Sequence, residues 1–439
     1  MQRWITVNGV PDVTGRLAFM SSIEPSNSRR ERFKRATIPA PGPIRSLAQA
    51  TLTGTIGNGL FAAIEAIFFT RSVGLTNHQV ALGLGAGAVA GLIANIPAGH
   101  LADTREPRKL IALFLILQGA TTAAFVLVHS FPGFIAVAVT SSLFRSVSGT
   151  ATMALMSRLG EGEERVRIRA YQHAVTNFGM GLGMAIAAVA LALDTREAYV
   201  AMVLGNAVAF VGSAFFVLKF PEMPKIVPTV RTEGHPRLVA LRDRRFLMVT
   251  ALSGVMSIQF SIQGVGLPLW IVQYTHAPRW WVAIVMLVNT ASVVLLQVRF
   301  TRGTGDLQFA AKTFRRSGFF IAAACLIYSS AQGVNATLAG IILVVGALVD
   351  VVGELLASAA GWAISFGMAI EGLQGQYQGV YAMSYGIANI FGPILVTSTA
   401  LALGRPGWII LGALFIAAGT AYPPLVRSYL KDREPDPRS

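Results

Sequence analysis

Apolar residues in this chain come in long runs separated by short polar connections. Twelve runs stand out, at 47–70, 78–101, 109–129, 132–156, 170–193, 197–219, 246–269, 280–299, 317–333, 337–362, 374–401 and 406–426. Most approach or exceed the ~20 residues that cross a ~30 Å hydrocarbon core at 1.5 Å rise per residue. Buried core helices of a soluble protein would be shorter and broken by polar faces. The pattern predicts an all-α polytopic membrane protein with twelve transmembrane helices.

Composition agrees, with 53% apolar and 13% charged residues, about half the ~25% charged share of soluble domains. A net charge of +15 suggests nucleic acid only until the basic residues are placed. Thirty-one fall in the tails and alternate loops on one side, against four (Arg71, Arg196, Arg279, Arg405) in the loops on the other. That asymmetry puts both termini in the cytoplasm of a cell-membrane protein and leaves no nucleic-acid face. Residues 1–46 are basic and polar, without an apolar signal core, and read as an unstructured cytoplasmic tail near anionic lipid. The connection 220–245, with Pro221, Pro224, Pro228 and Pro236, reads as a solvated linker. It divides the chain into six-span halves at 47–219 and 246–428, followed by a short cytoplasmic tail at 429–439.

Ionisable residues inside spans are costly, so function is their default reading. They are Glu65, Arg145, Asp350 and Glu354, the last two one turn apart on one helix face. Arg145 and Asp350 fall at similar depths in opposite halves and could share a cavity as charge partners. Uncharged polar residues in the spans extend the candidate cavity: Asn58, Asn177, Gln259, Gln263, Asn289, Tyr381, Tyr385 and Asn389. Hydrogen bonding between helices explains such residues equally well. Gly83, Gly87 and Gly91 share a face of the second span, as close helix packing requires. Trp270, Trp280, Trp281 and Trp408 lie near span ends, as interface anchors do. Cys325 stands alone, so no intrachain disulfide forms. No phosphate-binding glycine loop, metal-ligand spacing or nucleophile motif occurs, so neither an enzyme nor a metal or cofactor is expected. A monomer handling a small molecule is the expectation.

Two stretches carry a family resemblance. Gly99-His100-Leu101-Ala102-Asp103, followed by Arg108-Lys109, resembles the signature between the second and third helices of the major facilitator superfamily. Arg145, followed four residues later by Gly149, resembles a motif of that superfamily's twelve-span drug:proton antiporters. The resemblance implies two pseudo-symmetric six-helix halves that rock around a central site. It also implies that Asp103 latches the halves shut on the cytoplasmic side, near the start of the eleventh span. Within the antiporter group it further implies that Arg145 tunes a carboxylate and that Glu65 is the positional match for a proton carrier, although its place in the outer third of the first span fits an outer-gate ion-pair or hydrogen-bond residue equally well. Proton-coupled efflux of a drug or secondary metabolite is the leading expectation. Gly179-Met180-Gly181 stands where the exporters have Gly-Pro, so proton-coupled metabolite uptake stays open. A sensor or scaffold without transport is the third reading.

Overall fold

Polar residues able to cap a helix stand at many of the connections, and there the apolar runs begin as helices. Thr76 accepts from the Gln79 amide while the Gln79 side chain accepts from the Thr76 amide. The side chains of Ser130, Thr195, Asp243, Asp306 and Asn335 cap later helices by a single bond, each accepting from an amide left over at a helix start. The computed structural model describes residues 42–222 and 239–432. The expected tail up to residue 41, linker residues 223–238 and the final 433–439 lie outside them. The described residues from Ser46 onward belong to one compact unit, and the tertiary contacts below lie within it.

Among the described residues there are twelve long helical segments. They are α1 (Pro43–Ile67), α2 (Asn77–Thr104), α3 (Pro107–Ala124), α4 (Phe131–Ser157), α5 (Gly162–Leu193) and α6 (Arg196–Leu218) in the first half. The second half has α7 (Arg244–Tyr274, interrupted by a π-turn at Ile262–Gly266), α8 (Trp281–Leu296) and α9 (Leu307–Ser330). It ends with α10 (Ala336–Gly367), α11 (Gln374–Val396) and α12 (Arg405–Lys431). Ten of these segments are apolar and long enough to cross a membrane by length and composition. The exceptions are α1, with its Thr and Asn residues, and α9, whose first turns carry Lys312, Arg315 and Arg316.

Glycines set the closest crossings. A Cβ on Gly183 of α5 would lie 2.1 Å from the Ile56 carbonyl oxygen of α1, and one on Gly59 2.3 Å from that of Met180. Gly83, Gly87 and Gly91 face α4, as expected, and Ser146 donates to the Gly91 carbonyl at 2.7 Å. Gly183→Val is therefore expected to wedge α1 from α5 at an overpacking cost of about 1–3 kcal/mol or more. Gly181→Ala, whose Cβ meets open space, should be silent. Thermal unfolding of the two purified variants checks the contrast.

Two tryptophans depart from the anchoring role expected of them. Trp270 and Trp408 are fully buried and pack against each other with ring centroids 5.5 Å apart. Trp270 Nε1 also donates to the Tyr328 carbonyl at 2.9 Å. These residues fill the second half's core, since packing between helices buries indole surface as well as an interface does. Trp280 remains exposed.

At the end opposite the linker, Asp194 adopts a left-handed conformation (φ 47°) and receives bonds from Tyr199 and Arg71. The Tyr199 hydroxyl first, and Arg71 next, hold its carboxyl below the ordinary carboxylate range. The stabilisation is present above the unfolded value near ~3.9 and is lost as pH falls through the lower folded value. Asp194→Asn, which tolerates the same backbone, should unfold at lower temperature than the wild type near neutral pH. The gap should close on acidification through the carboxylate range.

Candidate functional site: a buried acidic pair above a closed inter-half layer

Asp350 and Glu354 lie one turn apart in the middle of α10, each 3% exposed. The π-turn of α7 contains Gln263, whose Nε2 donates to both carboxyls, at 3.1 Å to Asp350 Oδ2 and 2.9 Å to Glu354 Oε2. Such turns recur where a helix must aim a side chain at a site. Asn289 of α8 donates to the same Glu354 oxygen at 3.1 Å. Tyr328 of α9 donates to Asp350 Oδ2 at 3.4 Å, and Gly346 makes room for its ring, because a Cβ there would lie 2.6 Å from it. Four residues expected from the sequence thus meet in one cluster, and Tyr328 joins them. Only neutral donors bond to the two carboxyls, and no ion pair forms at either among the described residues.

The other sequence candidates distribute differently. Arg145 is exposed and makes no ion pair with Asp350. Its electrostatic neighbour is Glu65 of α1, without an ion-pair contact between them. Two carboxyls and their amide donors therefore form one site in the second half, while a separate acid and base lie within electrostatic reach of each other in the first. Asn177 bonds back to the His173 carbonyl at 3.0 Å. Gln259 is buried with an unpartnered Oε1, and Asn389 is exposed.

At the linker end the halves meet through the signature stretch. Gly375 and Gln376, in the first turn of α11, donate their amides to the two Asp103 carboxylate oxygens at 2.5 and 2.9 Å. These amides have no partner inside their own helix, and the helix dipole favours a negative charge there. Gly99 permits the approach, because its Cβ would lie 2.4 Å from the Gly375 carbonyl oxygen. Leu101 packs into the first half's core near the same end. Arg108 pairs with Glu106 and Glu222 and donates to the Phe220 carbonyl, tying α3 to the end of α6; Lys109 pairs with Glu106. Across the same layer Glu163 accepts from the Gly303 amide at 2.9 Å, and His173 Nδ1 stands 3.2 Å from Gln297 Oε1.

Among the described residues, no group of three or more His, Cys, Asp or Glu could hold a metal ion. Twelve long helical segments among the described residues, ten of them able to cross a membrane, closed on each other at one end and holding buried carboxyls midway, define a polytopic membrane carrier. A profile of the Major Facilitator Superfamily matches residues 47–393, and the chain belongs to that superfamily. It is a transporter by that membership. An uncharacterized MFS-type transporter of Methanocaldococcus jannaschii is 32% identical over 117 residues. That match covers 25% of this chain and spans only 30% of the relative's length. The human organic anion transporter MFSD10 (TETRAN) has a similar structure, with a TM-score of 0.66 at 15% identity. It covers 88% of this chain and 98% of its own. A bacterial homologue of the iron transporter ferroportin, in an outward-facing state, gives a TM-score of 0.69 at 12% identity. That likeness covers 88% of this chain and 99% of the other. Identities this low speak for the fold alone.

Proposed function

We propose that the protein is a proton-coupled carrier of a small organic compound and that Asp350 and Glu354 carry the proton. The observation behind this reading is the pair itself, two buried carboxyls that share an amide donor and, among the described residues, have no cation bonded to either. Two negative charges one turn apart in a dry site repel each other and lack compensation. Holding a proton between them neutralises the site at least cost. A proton held in this way is lost and regained as water reaches the site from one side and then the other. Alternating exposure by rocking of the two halves supplies that change.

Export in exchange for protons is the direction we favour, on the Arg145–Gly149 resemblance to drug:proton antiporters. The thirty-one basic residues on one side support placing both termini in the cytoplasm of a cell-membrane protein. The Asp103 latch would then close the cytoplasmic side, leaving the acidic pair to be reached from outside. Proteoliposomes loaded with a pH-sensitive dye test the coupling directly. Compounds from a drug and metabolite panel should elicit proton movement in vesicles carrying the wild type, and Asp350→Asn should abolish it. A panel compound that moves through the wild type without any proton movement would overturn the reading.

A further inference from the structure

Arg169 lies two turns into α5, well inside the layer where the halves meet, although its position in the sequence groups it with the preceding loop. Its guanidinium carbon stands 5.1 Å from the Trp362 ring centroid on α10, in the opposite half. Nη1 reaches only the Met156 sulfur at 3.9 Å, and Nε is buried with no partner at all. His173, one turn further on, meets the edge of the same indole at 5.3 Å. Tyr381 and Tyr385 of α11 lie within electrostatic reach of the guanidinium, and Tyr385 stacks on Phe260 of α7. No carboxylate lies within ion-pair distance of Arg169 among the described residues.

Arg169 is half-buried and its Nε is out of water; a guanidinium N–H so placed normally has an anion beside it, because neither an aromatic face nor a thioether replaces the lost hydration. Arg108 has Glu106 and Glu222 beside it, whereas among the described residues no carboxylate pairs with Arg169. The fork of N–H donors is shaped for the two oxygens of a carboxylate or sulfonate. Flat rings of the second half surround it: Trp362 under the guanidinium, Tyr381 and Tyr385 nearby, and Phe260 stacked on Tyr385. We infer that Arg169 binds the charged group of a singly charged organic anion with a flat apolar body, held between α5 and the α10–α11 face. This assigns a substrate class and rests on the carrier reading above. It also gives the cargo a contact to each half, so its arrival and departure bear on how the halves meet.

The test is equilibrium binding to the purified full chain, with no gradient present, at fixed ionic strength. Radiolabelled benzoate and benzenesulfonate are the probes, with benzyl alcohol and benzylamine as neutral and cationic comparators. At least one anion should bind saturably and the comparators should not. Arg169→Gln should weaken that binding by about tenfold or more and Arg169→Lys by less, since an ammonium keeps the charge but not the fork. Because binding is read at equilibrium with no gradient present, a failure of proton coupling leaves this result untouched. Phenylglyoxal labelling of Arg169 in the wild type, mapped by mass spectrometry, gives a second readout that needs no variant to fold. The anion should protect Arg169 from the reagent. Absence of saturable binding by both anions, preference for benzylamine, undiminished binding in Arg169→Gln, or labelling that the anion does not slow would each overturn the assignment.

Discussion

Asp350→Asn, alone and combined with Glu354→Gln, is expected to leave a folded protein that no longer concentrates its cargo against a pH gradient. Each amide is close in shape to the carboxyl it replaces. Its oxygen can still accept from Gln263, as Asp350 Oδ2 does now at 3.1 Å, so the packing around α7 and α10 survives. Removing the only charges from a dry cluster should leave thermal stability unchanged or raised. The transport defect is different in kind, because an amide cannot take up and release a proton. For each coupled proton lost, accumulation should fall by about tenfold per pH unit of imposed gradient, the equivalent of ~1.4 kcal/mol. Gln263→Ala acts on stability instead, since it strips the shared donor from both carboxyls at a cost of about 1–3 kcal/mol. Gradient-driven accumulation measured beside equilibrium binding separates the effects. Should the double amide variant accumulate cargo as the wild type does, Asp350 and Glu354 carry no coupling proton, and Glu65 becomes the residue to examine.

Helix number was legible in the chain because hydrocarbon thickness imposes one length on every span. Helix ends were less so. The fifth run starts at 170 by hydrophobicity, whereas α5 begins at Gly162, and the ninth starts at 317, whereas α9 begins at Leu307. In both places the first turns carry basic residues, which lower the local hydropathy, so hydropathy undercounts the helix. This hid Arg169, which reads as one more loop arginine until α5 is seen to extend through it. Asp350 and Glu354 were legible as a pair because one-turn spacing is a property of one helix. Their meeting with Gln263, Asn289 and Tyr328 was not, because the register between α7, α8, α9 and α10 is set by packing. Tyr328 carries no local signal at all, and only its donation to Asp350 and the space over Gly346 single it out. Counting along the helices puts Arg145 and Asp350 at an expected similar depth, yet depth fixes only one of three coordinates, and each found different neighbours.

Asp103→Asn is expected to shift the resting protein toward opening at the linker end and to slow its cycle, without unfolding it. The wild-type carboxylate accepts two backbone amides at once, from Gly375 and Gln376. An asparagine offers one oxygen and turns its NH2 toward an N–H that also needs an acceptor. One bond to a charged acceptor, worth about 1.5–3 kcal/mol, is lost, together with the favourable placement of a charge at a helix start. At ~1.4 kcal/mol per decade this changes the ratio of closed to open forms by roughly ten- to a hundredfold. Gly99→Ala should act in the same direction by a separate route, because its Cβ would press on the Gly375 carbonyl oxygen, 2.4 Å away, and prop α2 from α11. Gly85→Ala, on the same helix but facing open space, should do nothing. Electron-spin distances between labels at the linker ends of α2 and α11 report the populations directly. Both active variants should lengthen the mean distance while the Gly85 control keeps the wild-type value. If Asp103→Asn retains the wild-type distance distribution, the two amide bonds do not set the balance between closed and open forms. The closure would then rest on the apolar and glycine contacts between α2 and α11.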